Sequence, residues 1–292
     1  MRKKVFVSFA DTRYRSSLER LELETENFGF TERYFFTEKD LPDEFFKLLN
    51  PKIYRRGYAY WTWKPYLVGK VMAKLEDGDI LVYSDGGNHF EYNALPRFEE
   101  YLSMMSLDKP ILAFQQPYLE KDWTKMDIFK QICPNGYLQL AMTLQLWGGC
   151  FILMKSKISE KLLIDWNDIR LNHIDLFTDK KSAQPNLEGF HENRHDQSIF
   201  SMLVKQLPHI EISWKEVEPL DGNWEGFENS PIQGKRARSV SKKKKYFTLF
   251  YRTLIGLYLI FFKKFYFGKW IAWYKMIKWK MKKTNIKKED IR

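Results

Sequence analysis

Between residues 4 and 110 the chain switches repeatedly between two hydrophobic periods, and that switching limits its fold more than any other feature. "KVFVSFA" is apolar on both faces, as a buried strand is, and "RYRSSLERLELETENF" follows with helical spacing and stops near Gly29. "RYFF" supplies a second strand. After a loop with Pro42 and Pro51, residues 64–76 predict an amphipathic helix with Pro65 in its first turn, where a missing N–H costs nothing. "GDILVYSD" is a third strand, and "PILAF" (110–114) and "GCFILMK" (149–155) have strand character as well. "SEKLLIDWNDIRL" (159–171) reads as an amphipathic helix opened by a serine N-cap, and the second half of "HENRHDQSIFSMLVKQL" as another. Strands alternating with helices predict an α/β fold with a largely parallel sheet. Such sheets bind ligands at the carboxyl ends of their strands. Asp85 stands at one of these ends, followed by Gly86 and Gly87.

This pattern predicts one domain over residues 1–215. Residues 216–241, with Pro219, Gly222, Gly226 and Pro231, read as a linker, and 242–292 as a separate tail. Charge divides along the same line. The residues from Lys235 onward carry 19 Lys and Arg against two acids, so the net charge of +11 conceals a mildly acidic body at −6. A basic tail of this kind seeks an anionic surface. Its longest uncharged run, Thr253–Phe262, is ten residues, half the roughly 20 needed to span a hydrocarbon core. Lys275, Lys278 and Lys282 fall on one helical face, and Trp270, Trp273 and Ile277 on another. This composition predicts basic amphipathic helices over 242–283 lying in the membrane interface. Leu and Ile interspersed among the aromatics disfavour a nucleic-acid stacking groove, so no nucleic-acid partner is expected. Two cysteines, Cys133 and Cys150, imply no disulfide framework, and the N-terminus shows no signal-peptide pattern. Both fit a cytoplasmic, peripheral location.

Four clusters hold the chemistry-bearing residues. "RRGYAYWTWKPY" (55–66) combines Arg56, Trp61, Trp63 and Lys64, and a cation at a helix start favours a phosphate. An aromatic core knot is its plainer reading. "YSDGG" allows close backbone approach to a bound group, although Asp-Gly is also a common turn pair. In "DWTKMDIF", Lys125 and Asp127 lie among aromatics, or simply start a surface helix. "HENRHDQ" gathers His191, Arg194, His195, Asp196 and Gln197, where Asp196 could cap a helix or act on a sugar hydroxyl. P-loop, GxGxxG, GxSxG, HExxH and CxxC patterns are absent.

In order along the chain, "RGYAYWTWKPYLV", "GDILVYSDGG", "WTKMD", "GGCFILMKS" with "DWNDIR", and "RHDQSIFSML" resemble the GT-A-fold glycosyltransferases of bacterial capsule, O-antigen and lipopolysaccharide biosynthesis. The resemblance covers roughly residues 1–215. It implies a GT-A-like, Rossmann-like sheet and transfer of a sugar from a nucleotide-sugar donor to a glycan or lipid-linked glycan hydroxyl. It makes Asp85 the first acid of the family's D-x-D motif, whose second acid is here replaced by Gly87. Three arrangements follow for the Mn²⁺ or Mg²⁺ that the motif binds. Asn88 or His89 could assist Asp85, Asp85 and substrate oxygens alone could hold the metal, or cations at Lys64, Arg56 or Lys125 could serve a metal-free enzyme. The resemblance also places Phe9, Asp11, Thr12 and Gly86 at the donor and Trp61, Trp63 and His195 at the acceptor. Asp196 and Gln197 become the catalytic pair. The alternative is a non-catalytic peripheral membrane scaffold on a degenerate glycosyltransferase fold.

Overall fold

A computed structural model describes residues 2–236. The basic tail expected over 242–292, and the end of the expected linker, lie outside the described residues.

Among the described residues eight strands form in chain order: β1 (Lys4–Phe9), β2 (Glu32–Phe36), β3 (Ile80–Ser84), β4 (His89–Phe90), β5 (Ile111–Leu119), β6 (Leu144–Met154), β7 (His209–Ile212) and β8 (Ile232–Gln233). Six build the central sheet in the order β2-β1-β3-β6-β5-β7, and β4 pairs with β8 in a separate ribbon. β1 runs parallel to β2 and β3, and β5 parallel to β7. β6 alone is reversed, antiparallel to both β3 and β5. The sheet is therefore mostly parallel, as expected. The reversal of β6 brings its N-terminal half to the edge where β1, β3 and β5 end.

Helices cover both faces: α1 (Arg15–Glu24), α2 (Trp63–Met72), α3 (Leu95–Met104), α4 (Lys157–Asn172) and α5 (Asp196–Val204). Alternation along the strands decides which side chain meets which layer. Val5, Val7, Leu81, Tyr83 and Phe151 face Leu67, Val71, Leu162, Trp166 and Phe200 of α2, α4 and α5. Phe6, Val82 and Ile152 point the other way, to Leu21, Phe98 and Leu102 of α1 and α3. Each such side chain, fully buried, contributes about 1.5–3 kcal/mol of burial free energy.

Three expectations are corrected. The helix over 64–76 ends at Met72. The N-cap of α4 is Ser156, whose hydroxyl accepts from the Ser159 N–H, while Ser159 closes the capping box from the third helical position. The segment over 216–236 is no free linker: Val217, Ile232 and Gln233 are buried, and β8 pairs with β4. Its prolines and glycines shape turns on the body surface.

Candidate functional site

The strand ends converge on a cavity of about 550 Å³. β1 delivers Phe9, Ala10 and Asp11, β3 delivers Asp85 and its glycines, β5 delivers Gln116 and Tyr118, and the reversed β6 delivers Trp147. Gly148 and Gly149 behind Trp147 are forced by packing. A Cβ on Gly148 would lie 2.9 Å from the Gln197 backbone, and one on Gly149 would lie 2.4 Å from Trp147 Nε1.

Lys64 is the electrostatic centre. It is 1 % exposed, and its Nζ donates to the Asp196 carboxylate and to the Gly148 carbonyl at 2.8 Å, with Asp85 Oδ1 at 3.4 Å. Burial alone would drive the amine toward neutrality, but Asp196 and Asp85 outweigh it and hold its pKa above the ordinary lysine value. Asp196 itself is pushed up to about 6, mainly by burial, with Lys64 pulling it down and Asp85 adding to the rise. Tyr83 donates to Asp85 Oδ1 at 2.5 Å, and burial holds its phenol well above the usual tyrosine range, so it remains a donor.

The loop after Asp85 is clamped from behind. Arg20 donates to the carbonyls of Gly86 (2.8 Å) and Asn88 (2.7 Å), and the buried Asn88 amide donates to Ser84 Oγ and the Gly149 carbonyl. The backbone at Gly86 thus stays fixed at the cavity wall.

A strained turn forms the opposite wall. Gly57, Tyr58, Ala59, Tyr60 and Trp61 all have φ between +51° and +68°, a single left-handed turn. Each of its non-glycine residues costs about 1–2 kcal/mol there. Tertiary contacts offset this: Tyr58 packs on Phe9, Tyr60 Oη donates to Asp179 at 2.8 Å, and Trp63 Nε1 donates to the Gly57 carbonyl at 3.1 Å. The turn presents Tyr58 and Trp61 to the cavity between Arg55 and Arg56. Strain of this kind collects at functional sites.

The structure brings together Phe9, Asp11, Arg56, Trp61, Trp63, Asp85, Gly86 and Gln197, which all line the cavity. Asp11 holds Arg13, accepting from its Nη2 at 2.5 Å and Nε at 3.1 Å, and Arg56 reaches Glu192 at 3.2 Å. Five expected residues do not line the cavity, one of them Lys64, which lies buried behind the Asp85 tip. Lys125 is buried, and its ammonium donates to the carbonyls of Asp175, Thr178 and Lys180, so it organises a loop instead of a donor. Thr12 bonds Glu38 and lines a neighbouring hollow with Asn50 and Lys52. His195 is 1 % exposed, packed against Tyr60 and Trp61, with Nδ1 2.7 Å from the Phe177 carbonyl. Asp196, 4 % exposed, sits behind Gly148 and acts on Lys64. Its carboxylate is engaged by Lys64 and does not line the cavity.

Sequence reasoning missed Gln116, Tyr118, Trp147, Glu218 and Arg236, and saw Arg194 only as part of a cluster. All six line the cavity. The Gln116 amide is buried with Nε2 making no hydrogen bond, and Arg194 lies 3.9 Å over the Trp123 ring, its buried Nε making no hydrogen bond and lying 3.7 Å from Glu192 Oε1. The "WGG" triplet before the apolar run of β6 was the available signal, since two glycines beside a Trp mark a close approach. Burial raises the Glu218 pKa, against the pull of Arg236 and Arg194. Of the three cavity carboxylates it is the one that accepts no hydrogen bond among the described residues.

The residues do not fit a protein-built divalent-metal site. Asp85 offers one carboxylate, whose Oδ1 is already engaged by Tyr83 and Lys64. The Asn88 Nδ2 is tied to Ser84 and Gly149, which fixes the amide, His89 pairs with Glu24, and position 87 has no side chain. Among the described residues no three His, Cys, Asp or Glu side chains gather as metal ligands.

No protein-family model matches the chain, and no curated protein does. Solved structures similar to it include glycosyltransferases. One is involved in glycosylation of the major capsid of PBCV-1, with 9 % identity, 79 % of this chain and 92 % of that chain covered, and a TM-score of 0.44. GlyE of Streptococcus pneumoniae gives 13 % identity over 86 % of this chain and 60 % of its own, with a TM-score of 0.43. Mouse xyloside xylosyltransferase 1 gives 11 % identity over 82 % and 99 %, with a TM-score of 0.41.

Proposed function

We propose that this protein is a nucleotide-sugar-dependent glycosyltransferase of GT-A type, moving a hexose-type sugar to a hydroxyl of a glycan or lipid-linked glycan in bacterial surface-polysaccharide synthesis. One observation carries this reading. The carboxylate at the β3 tip, backed by buried Lys64, opens onto a cavity lined by five arginines, three carboxylates and the faces of Trp61 and Trp147. Two excess positive charges suit a diphosphate, and indole faces suit sugar rings.

In the reaction the acceptor oxygen bonds to the anomeric carbon as the carbon–oxygen bond to phosphate breaks. The electron pair leaves on the nucleoside diphosphate, where the arginines stabilise the charge that develops. Glu218 or the departing diphosphate takes the hydroxyl proton. Phe9 and Asp11 face the nucleoside, and Gln197 faces the sugar. Its amide is set by Gln145, which accepts from Gln197 Nε2 at 2.6 Å, while the Gly148 N–H donates to Gln197 Oε1 at 3.2 Å.

Among the described residues no helix is long and apolar enough to cross a membrane. The composition of 242–283 supports attachment to the inner face of the cytoplasmic membrane, where a lipid-linked acceptor would lie. Deleting residues 240–292 should release the protein from the membrane fraction, and retention there would defeat this part of the proposal.

The test is consumption of nucleotide sugars across a panel of common donors. One donor should be turned over by the wild type, and Asp85→Asn should lose that turnover while remaining folded. A folded wild type that consumes none of them would match the non-catalytic scaffold instead.

A further inference from the structure

We propose that the donor diphosphate is held by this chain's own Arg236 over the Asp85 loop, with buried Lys64 neutralising Asp85 from behind, and not by a carboxylate-bound divalent metal. The inference rests on the glycosyltransferase reading and adds to it the means of charge neutralisation. The key observation is at Gly87, where the related motif carries its second acid. A Cβ there would lie 3.4 Å from the Arg236 Cα, because the segment Gly234–Arg236 crosses the loop at that point. The route of the chain therefore puts a cationic residue where a second carboxylate would begin.

Arg236 is placed for this role. It lines the cavity, its side chain is 82 % exposed, and its nearest acid is Glu218 at 3.9 Å. Its φ of +52° is a conformation that a non-glycine residue adopts only when its surroundings hold it there. The chain leading into the crossing is anchored. The Gly234 N–H donates to the Val217 carbonyl at 2.8 Å, and the neighbouring Gln233 amide donates to the carbonyls of Phe227 and Ser230. From below, the Lys64 ammonium already lies 3.4 Å from Asp85 Oδ1, at the carboxylate a metal would need. A guanidinium offers a diphosphate two parallel N–H donors, and such charge-assisted bonds are each worth more than a neutral one.

The experiment is calorimetric titration of the full chain with UDP, GDP and CDP, each in EDTA and each with excess Mg²⁺ or Mn²⁺. One nucleotide should bind in EDTA, and its Kd should change by less than about twofold when metal is added. Arg236→Ala should weaken that binding by about tenfold, which corresponds to roughly 1.4 kcal/mol. Arg236→Lys should recover part of the loss. Binding that appears only with metal, or a Kd unmoved by Arg236→Ala, would overturn the inference while leaving the glycosyltransferase reading intact. If no nucleotide bound under either condition, that reading would fail and this inference with it.

Discussion

Replacing Lys64 by Met probes the charge centre of the site through stability alone. The change keeps most of the side-chain volume and removes the ammonium that donates to Asp196 and Gly148 and faces Asp85. Asp196 is then a buried carboxylate with no cation, and breaking such a pair costs about 3–5 kcal/mol. In a domain of this size that lowers Tm by roughly 6–20 °C. The cost should depend on pH. The folded pKa of Asp196, about 6, lies above its ordinary 3.8, so ionising it opposes folding as pH rises through that window. Lys64 limits that penalty. Its removal should therefore hurt more at pH 7.5 than at pH 5, where a neutral Asp196 no longer needs it. Thermal melts of the wild type, Lys64→Met, Asp196→Asn and the double variant at both pH values measure this. The double variant should fall short of additivity by about 1–3 kcal/mol at the higher pH. Additive losses, or losses equal at both pH values, would refute the buried pairing.

Three further outcomes follow from packing in the body. Burial lowers the His195 pKa to about 4 from 6.5, so the unfolded chain binds this proton before the folded one does, and stability is lost as pH falls through that interval. The loss approaches about 3 kcal/mol, and urea denaturation at pH 7 and pH 4.5 should show it in the wild type and much less of it in His195→Asn. Gly148→Ala should push α5 off β6, costing about 1–3 kcal/mol and most donor turnover, because its Cβ would meet the Gln197 backbone at 2.9 Å. Gly69→Ala, with nothing within 4 Å, should instead be neutral or stabilising by up to about 1 kcal/mol in thermal melts.

The parts of this site legible in the sequence are those set by local pattern. β1, β3, Asp85 at the β3 tip and Lys64 at the start of α2 all follow from hydrophobic period and helix-start chemistry. The direction of β6 does not, since "GCFILMK" is equally apolar read either way, and only pairing with β3 and β5 reverses it. Residues 216–236 are rich in Pro and Gly, which marks turns without saying whether the turns pack, and so Glu218 and Arg236 escaped notice. Lys125 among aromatics reads the same whether it awaits a phosphate or satisfies three carbonyls. In the left-handed turn only Gly57 signals positive φ. Tyr58, Tyr60 and Trp61 are held there by Phe9, Asp179 and His195, and Trp63 bonds the Gly57 carbonyl, partners distant in sequence or beyond the turn.

Photo-crosslinking tests the location of the donor most directly. A photoreactive nucleoside diphosphate sugar, with its reactive group on the base, should label the peptide containing Phe9–Arg13 or the Arg55–Trp63 turn, and unlabelled nucleoside diphosphate should compete the label away. Labelling confined to peptides outside the cavity, or labelling that the nucleotide does not compete, would contradict a donor site at the tips of β1 and β3.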